Sequence, residues 1–204
     1  MPGILRLRAI YRTVDVATAP GFGGQGVDRV LESLADLCRH AADMGGADSE
    51  DRCRPDGRPT LILNHPSAIY HPGEVVIAEA TATSLFDGYL YVDFYDVDGY
   101  VVHVLPSRHT DRHTDRHVAA GESLVLGDDR QPAGFTLMII PRYGEEAFVV
   151  TSMRASLNAG MRPEVEPAAD YLRALRDRLA DLVRRGVDRP MVWDYVRITT
   201  EGSP

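Results

Sequence analysis

The stretch that most constrains the fold is a predicted β-hairpin between Leu85 and Pro106. Leu90, Val92 and Phe94 alternate with tyrosines and an aspartate, and a period of two is typical of a strand with two different faces. The segment 96–99, Asp-Val-Asp-Gly, supplies a turn, because glycine tolerates positive φ and aspartate accepts hydrogen bonds from nearby backbone N–H groups. The sequence therefore predicts two strands joined by a tight turn.

Further segments have the patterns of strands or of amphipathic helices. Seven or more short strands separated by turn signals indicate an antiparallel β-sandwich-like sheet, and two helices are expected to cover it, which gives a β-rich α+β fold. Because 204 residues can bury one sizeable core, we expect a strand–helix arm, residues 1–59, packed on a main domain, residues 60–204. The strands are predicted at 4–16, 60–64, 74–83, 122–126, 134–140, 147–153 and 192–199, and the helices at 27–44 and between Pro167 and Gly186.

The charge balance excludes some classes of function. The formal net charge is −8, which disfavours nucleic acid as a partner because phosphate backbones need a cationic surface. All 22 basic residues are arginine, so the chain has no lysine for a Schiff base or a phosphate-binding P-loop. We expect no nucleic-acid partner.

Hydropathy predicts where the chain resides. No run of about 18 apolar residues is present, so we expect no membrane-spanning helix. The N-terminal segment also lacks an apolar stretch followed by a small-residue cleavage site. If Met1 is the native start, the prediction is a cytoplasmic protein; the alternative is an extracytoplasmic fragment of a larger protein.

Cys38 and Cys53 are the two cysteines of the chain. Their spacing matches neither a zinc site nor a redox pair of the Cys-x-x-Cys type. Two interpretations stay open: unlinked thiols, one of them buried on a helix face, or a disulfide of the kind found in exported domains.

Gly21, Gly23 and Gly26 match the spacing of a G-x-G-x-x-G motif ahead of a predicted helix. A dinucleotide site also needs a βαβ continuation and an acidic residue after the second strand, whereas the next predicted strand ends in Asn64-His65. The glycines are therefore interpreted as a flexible connection, and no cofactor is expected.

A duplicated tetrapeptide lies in the segment RHTDRHTDRH and places His109, His113 and His117 four residues apart. On a helix this spacing would align three imidazoles that could bind a transition metal. The segment has no apolar stripe and follows a predicted strand, which favours a variable loop instead.

The tyrosines of the hairpin, Tyr89, Tyr91 and Tyr95, fall on one predicted sheet face. Such a row of aromatic side chains either packs beneath a helix or forms an amphipathic recognition surface. With two helices needing a sheet to cover, packing is favoured, and binding remains the alternative.

Turn and core motifs between Tyr70 and Leu157 resemble a family, the bacterial domain of unknown function numbered 4384. The resemblance implies a module found alone or appended to bacterial protein kinases and caspase-like peptidases, with no catalytic residues to transfer. A helix and strand over 169–200 resemble the segment that often follows this domain, and the histidine repeat departs from the family pattern. The matching motifs are Gly73-Glu74, Asp87-Gly88-Tyr89-Leu90-Tyr91-Val92, Asp98-Gly99, Leu105-Pro106, Ala120-Gly121-Glu122, Pro141 with Gly144-Glu145, and Ser156-Leu157.

The sequence contains no set of nucleophile, base and acid at catalytic spacing, so we do not expect an enzyme. Asp93, Asp96 and Asp98 do not form a calcium loop, because no bidentate glutamate follows at the required position. The predicted function is a non-catalytic module that recognises a protein partner through a sheet edge or the tyrosine face, in bacterial signalling or secretion. The alternative is a metal- or ligand-sensing domain that uses the histidine loop.

Overall fold

The computed structural model describes residues 3–6, 26–43, 53–106, 115–130, 135–140, 143–157 and 162–202. Its two long helices are α1 (Gly26–Asp43) and α2 (Ala168–Arg184). The strands are β1 (Gly3–Arg6), β2 (Thr60–Leu63), β3 (Ile69–Tyr70), β4 (Val75–Val76), β5 (Ala78–Thr81), β6 (Gly88–Tyr95), β7 (Tyr100–Leu105), β8 (Arg116–Val118), β9 (Ser123–Leu126), β10 (Phe135–Met138), β11 (Glu145–Met153), β12 (Val165–Pro167) and β13 (Met191–Thr200).

The predicted hairpin is confirmed and lies inside the largest sheet, called here the main sheet. Its strand order is β12-β7-β6-β11-β13-β3, and β8 also pairs with β6. In the turn, the Asp96 carboxylate accepts hydrogen bonds of 2.9 Å from the backbone N–H groups of Asp98 and Tyr100, and Gly99 adopts φ +86°. The neighbouring strands are antiparallel except for β13 and β3, which run parallel.

Two apolar cores cover opposite faces of the main sheet. On one face, Leu90, Val92 and Phe94 pack against the strands of two smaller sheets. On the other face, Tyr91 and Tyr95 pack against α1 and α2. The fold is therefore a strand-rich α+β arrangement in three layers, and the central strand β6 is almost entirely buried.

The two smaller sheets each have three strands, in the orders β2-β5-β9 and β1-β10-β4. The first is antiparallel throughout, whereas β1 and β10 of the second run parallel. The prediction of a single strand over 74–83 is wrong, because this segment forms two strands, β4 and β5, that belong to different sheets. Gly127 follows β9 with φ +81°, at a position where a Cβ atom would lie 2.1 Å from the Val76 carbonyl oxygen.

Both helices form where the apolar periodicity predicts them. In α1, Val27, Val30, Leu31 and Leu34 are buried in the core that also contains Tyr91. Pro167 immediately precedes α2, where its fixed φ suits a helix start. Two described elements of the predicted arm, residues 1–59, contact the predicted main domain: α1 shares a core with the main sheet, and β1 pairs with β10. The predicted boundary between arm and domain stays a prediction.

Candidate functional site

The tyrosine face of β6 lies beneath the helices. Tyr91 is 2% exposed and Tyr95 is 1% exposed, while Tyr89 is half-buried and makes an edge-to-face contact with His117 at 5.2 Å. These side chains pack beneath the helices, which is the first of the two interpretations given above. The alternative, a recognition surface formed by Tyr89, Tyr91 and Tyr95, is corrected, because α1 and α2 occupy that side of the sheet.

A network of charged and polar side chains is buried between the main sheet and α2. His103 on β7 places Nδ1 at 2.6 Å from Asp93 Oδ1 on β6, and Nε2 at 2.9 Å from Glu166 Oε1 on β12. Tyr171 on α2 donates from its hydroxyl to Asp93 Oδ2 at 2.8 Å. The Arg162 guanidinium donates two hydrogen bonds of 2.6 Å each to the Glu166 carboxylate. We call these five residues the buried network.

The geometry of the buried network fixes the charge on His103. Both ring nitrogens face carboxylate oxygens, so both must carry protons, and the ring is an imidazolium. Burial alone would lower the pKa of His103, but the charges and hydrogen bonds of Asp93 and Glu166 raise it to about 9. Burial would likewise raise the pKa of Glu166, yet His103 and Arg162 lower it to about 2. The buried network then contains two anions, Asp93 and Glu166, and two cations, His103 and Arg162, so its net charge is zero.

The buried network ties four elements of the fold together but is poorly placed to act on a substrate. Asp93 is 2% exposed, His103 6% and Glu166 9%, so solvent hardly reaches these side chains. Burial, and then the charge of Asp93, raise the pKa of Tyr171 well above its usual value, so its phenol stays protonated at neutral pH. The arrangement is suited to holding the edge strand β12 and the helix α2 against β6 and β7.

The described part of the histidine repeat has structural contacts. Asp115 accepts hydrogen bonds from the hydroxyls of Tyr91, at 2.6 Å, and of Ser156. Arg116 pairs with Glu122 at 3.0 Å. His117 lies exposed in β8, so this member of the predicted metal site is in a strand, whereas His109 and His113 fall outside the described residues.

No cluster of three or more potential metal-ligating side chains occurs within the ranges that the structure describes. Of the three glycines with nucleotide-loop spacing, Gly26 begins α1, and Gly21 and Gly23 are not among the described residues. The Cys38 and Cys53 sulfurs form a disulfide with a Cα–Cα distance of 5.7 Å, which is the second of the two interpretations left open above.

The solvent-facing side of the β2-β5-β9 sheet carries the two most exposed large apolar side chains among the described residues. Along β2 and β5, residues alternate strictly between buried and outward-facing positions, and the outward set of the sheet includes two large apolar side chains, Ile62 at 63% exposure and Val125 at 45%. We call this surface the outer face. Its outward-pointing residues are Thr60, Ile62, Glu79, Thr81, Ser123 and Val125.

Strand register places the residues of the outer face in two rows. Ile62 is opposite Glu79, which is opposite Val125, so an exposed carboxylate lies between two apolar side chains. In the second row the Thr81 and Ser123 hydroxyls form a hydrogen bond of 2.8 Å. Among the described residues, none pairs with the Glu79 carboxylate.

The β2-β5-β9 sheet also ends in two edge strands, β2 and β9. Over the described ranges, neither β2 nor β9 has a second strand partner on its outer side. An edge strand presents alternate backbone N–H and C=O groups to solvent and can pair with an extended segment of another chain. Exposed apolar side chains, an unpaired carboxylate and two edge strands therefore occur together on one small sheet.

Comparisons with known proteins identify no family. No family model matches the chain, and no curated protein matches it. A solved structure, that of Spo0M, a sporulation control protein from Bacillus subtilis, is similar with a TM-score of 0.32 and 14% identity. The match covers 72% of this chain and 50% of that one, so the chain spans about half the length of that protein. Within the described residues, no helix is both long and apolar enough to cross a membrane.

Proposed function

We propose that this protein is a non-catalytic recognition module that binds a protein partner through the outer face of the β2-β5-β9 sheet. The observation that carries the proposal is the cross-strand row in which Ile62 and Val125 remain exposed on either side of Glu79. Apolar side chains grouped on a polar surface mark contact sites more often than isolated ones do.

The other faces of the sheets support this choice of surface. The main sheet is covered on both sides, and Tyr91 and Tyr95 are too deeply buried to meet a partner. The solvent side of α2 carries arginines paired with aspartates, including Arg173 with Asp170 and Arg178 with Asp181, and such internal pairs leave little charge for a partner. The outer face combines exposed apolar side chains with an unpaired carboxylate, on a sheet that ends in two edge strands.

A role in bacterial signalling or secretion is part of the same proposal. It is supported by the resemblance of 70–157 to the domain of unknown function numbered 4384, which implies a module appended to kinases or peptidases. The Cys38–Cys53 disulfide supports an oxidising compartment, because such bonds are rare where thiols are kept reduced. Mass measurement of protein trapped by alkylation in the native host, with and without reductant, tests the compartment.

Photo-crosslinking tests the proposed surface. A benzophenone side chain placed at position 62 is expected to form an adduct with a second protein in extracts of the native host. The same group at Glu32, an exposed position on α1, is the control and is expected to give no such adduct. Val125→Arg should abolish the adduct from position 62, because it puts a charge in the same apolar row. An adduct that forms equally from both positions, or that survives Val125→Arg, contradicts the proposal.

A further inference from the structure

Glu79 gives the outer face a specific electrostatic requirement. It lies on the central strand β5, and neighbouring strands are about 5 Å apart, so Ile62 and Val125 flank its carboxylate closely on both sides. Within the described residues no arginine neutralises it. The chain as a whole has an excess of acidic residues, with a net charge of −8.

Docking any partner on the flanking apolar side chains would remove water from the Glu79 carboxylate. A carboxylate that loses water without gaining a counter-charge is strongly unfavourable, and a hydrogen-bonded cation is what offsets that loss. Arginine suits such a position, because its guanidinium can make two parallel hydrogen bonds to one carboxylate. An apolar or acidic surface would be rejected at the same place.

We propose, on the basis of the function proposed above, that the partner of the outer face presents an arginine or lysine between aliphatic side chains, with the cation paired to Glu79. The aliphatic groups pack on Ile62 and Val125. The row formed by Thr60, Thr81 and Ser123 supplies hydroxyls at the polar rim of the same contact.

A second copy of this chain is a poor occupant of the outer face. In a two-fold symmetric contact the same patch meets itself, so two Glu79 carboxylates would approach each other without a cation on either face. The net charge of −8 on each copy adds to this repulsion. Self-pairing of the outer face therefore supplies no cation, and the proposal assigns the cation to a different protein.

The test extends the crosslinking assay to charge variants at Glu79. With the benzophenone at position 62, Glu79→Arg is expected to reduce the adduct yield at least tenfold, and Glu79→Gln by several-fold. Glu32→Arg makes the same change of charge on α1, away from the outer face, and is expected to leave the yield unchanged. Thermal melts of all three variants check that each remains folded.

Mass spectrometry of the adduct identifies the partner segment in contact with position 62. The proposal expects an arginine or lysine within about three residues of the crosslinked residue, a reach set by strand spacing. An adduct unaffected by Glu79→Arg and Glu79→Gln, or a contact segment without a basic residue, overturns the cation requirement while the proposed surface stands. A segment of this same chain overturns the choice of occupant, and the absence of any adduct at position 62 overturns the proposed function itself.

Discussion

The protonated His103 predicts that the protein loses stability as the pH rises from neutrality to about 9. In the folded protein the pKa of His103 is raised to about 9, compared with the ordinary histidine value of 6.5. The folded state therefore holds this proton more tightly than the unfolded state does. The stabilisation is fully present below pH 6.5 and is lost as the pH rises through 9.

The size of the effect follows from the two pKa values. One pH unit of difference corresponds to about 1.4 kcal/mol, so His103 is expected to contribute about 3 kcal/mol at pH 6 that is absent at pH 10. For a protein of this length, that is a fall of about 6–12 °C in the melting temperature. The charged groups that face His103 should not mask the change: the pKa of Glu166 is about 2, and that of Tyr171 is far above its usual value.

Urea denaturation at pH 6, 7, 8 and 9 measures this dependence. We compare the unaltered protein with His103→Gln, which cannot titrate at the buried position, and with His117→Gln, which removes an exposed histidine. The decrease between pH 6.5 and 9 is expected to vanish in His103→Gln and to persist in His117→Gln. An unaltered protein with no decrease over this range, or the same decrease in His103→Gln, would refute the reasoning.

Three further perturbations test other parts of the fold by urea or thermal denaturation. Reducing the disulfide is expected to lower the free energy of unfolding by about 3 kcal/mol, because the bond joins residues 15 positions apart; an unchanged midpoint would count against it. Gly127→Ala is expected to lower the free energy of unfolding by about 2–4 kcal/mol, since the new methyl group meets a carbonyl oxygen. Gly73→Ala, with the same φ of +81° but open space around the new methyl group, should lower it by about 1 kcal/mol. Equal losses from the two substitutions would contradict the packing around Gly127. Asp115→Ala is expected to cost about 1–3 kcal/mol, because the Tyr91 hydroxyl loses its acceptor and keeps the hydrogen bond that it accepts from the Leu157 N–H; an unchanged free energy of unfolding would contradict this contact.

Local patterns predicted the hairpin and the two helices well, because their signals lie within a few residues. The alternation along β6, the turn at 96–99 and the apolar stripe of α1 each identify an element without reference to the rest of the chain. Pro167 and Gly186 likewise mark the two ends of α2 by restricting or freeing the backbone. Where a strand carried a weaker local signal, as in β3, β8 and β12, the sequence did not predict it.

The buried network was not predictable, since its members look like surface residues in their own segments. Asp93 and His103 are polar residues in alternating strands, where an outward position is the usual expectation. Their partners are distant: Glu166 is 63 residues from His103, and Tyr171 is 78 residues from Asp93. One signal in the sequence pointed to burial of Asp93: it falls on the same face of the predicted strand as Tyr91 and Tyr95, and the two helices were expected to cover that face.

The outer face depends on contacts between distant segments as well. Its three strands begin at positions 60, 78 and 123, and the row formed by Ile62, Glu79 and Val125 exists only when those strands pair in one register. An exposed isoleucine in an alternating strand is indistinguishable, in the sequence, from one that faces a core. Only the pairing shows which of the two faces remains uncovered.

Hydroxyl-radical footprinting by mass spectrometry tests most directly the claim that the outer face, and not the tyrosine face, is the surface available to a partner. In the purified protein, Ile62 and Val125 are expected to be oxidised readily, while Tyr91 and Tyr95 remain protected; on addition of host extract, protection should appear at Ile62 and Val125. Rapid oxidation of Tyr91 and Tyr95 in the folded protein, together with protection of those tyrosines by the extract, would contradict the account.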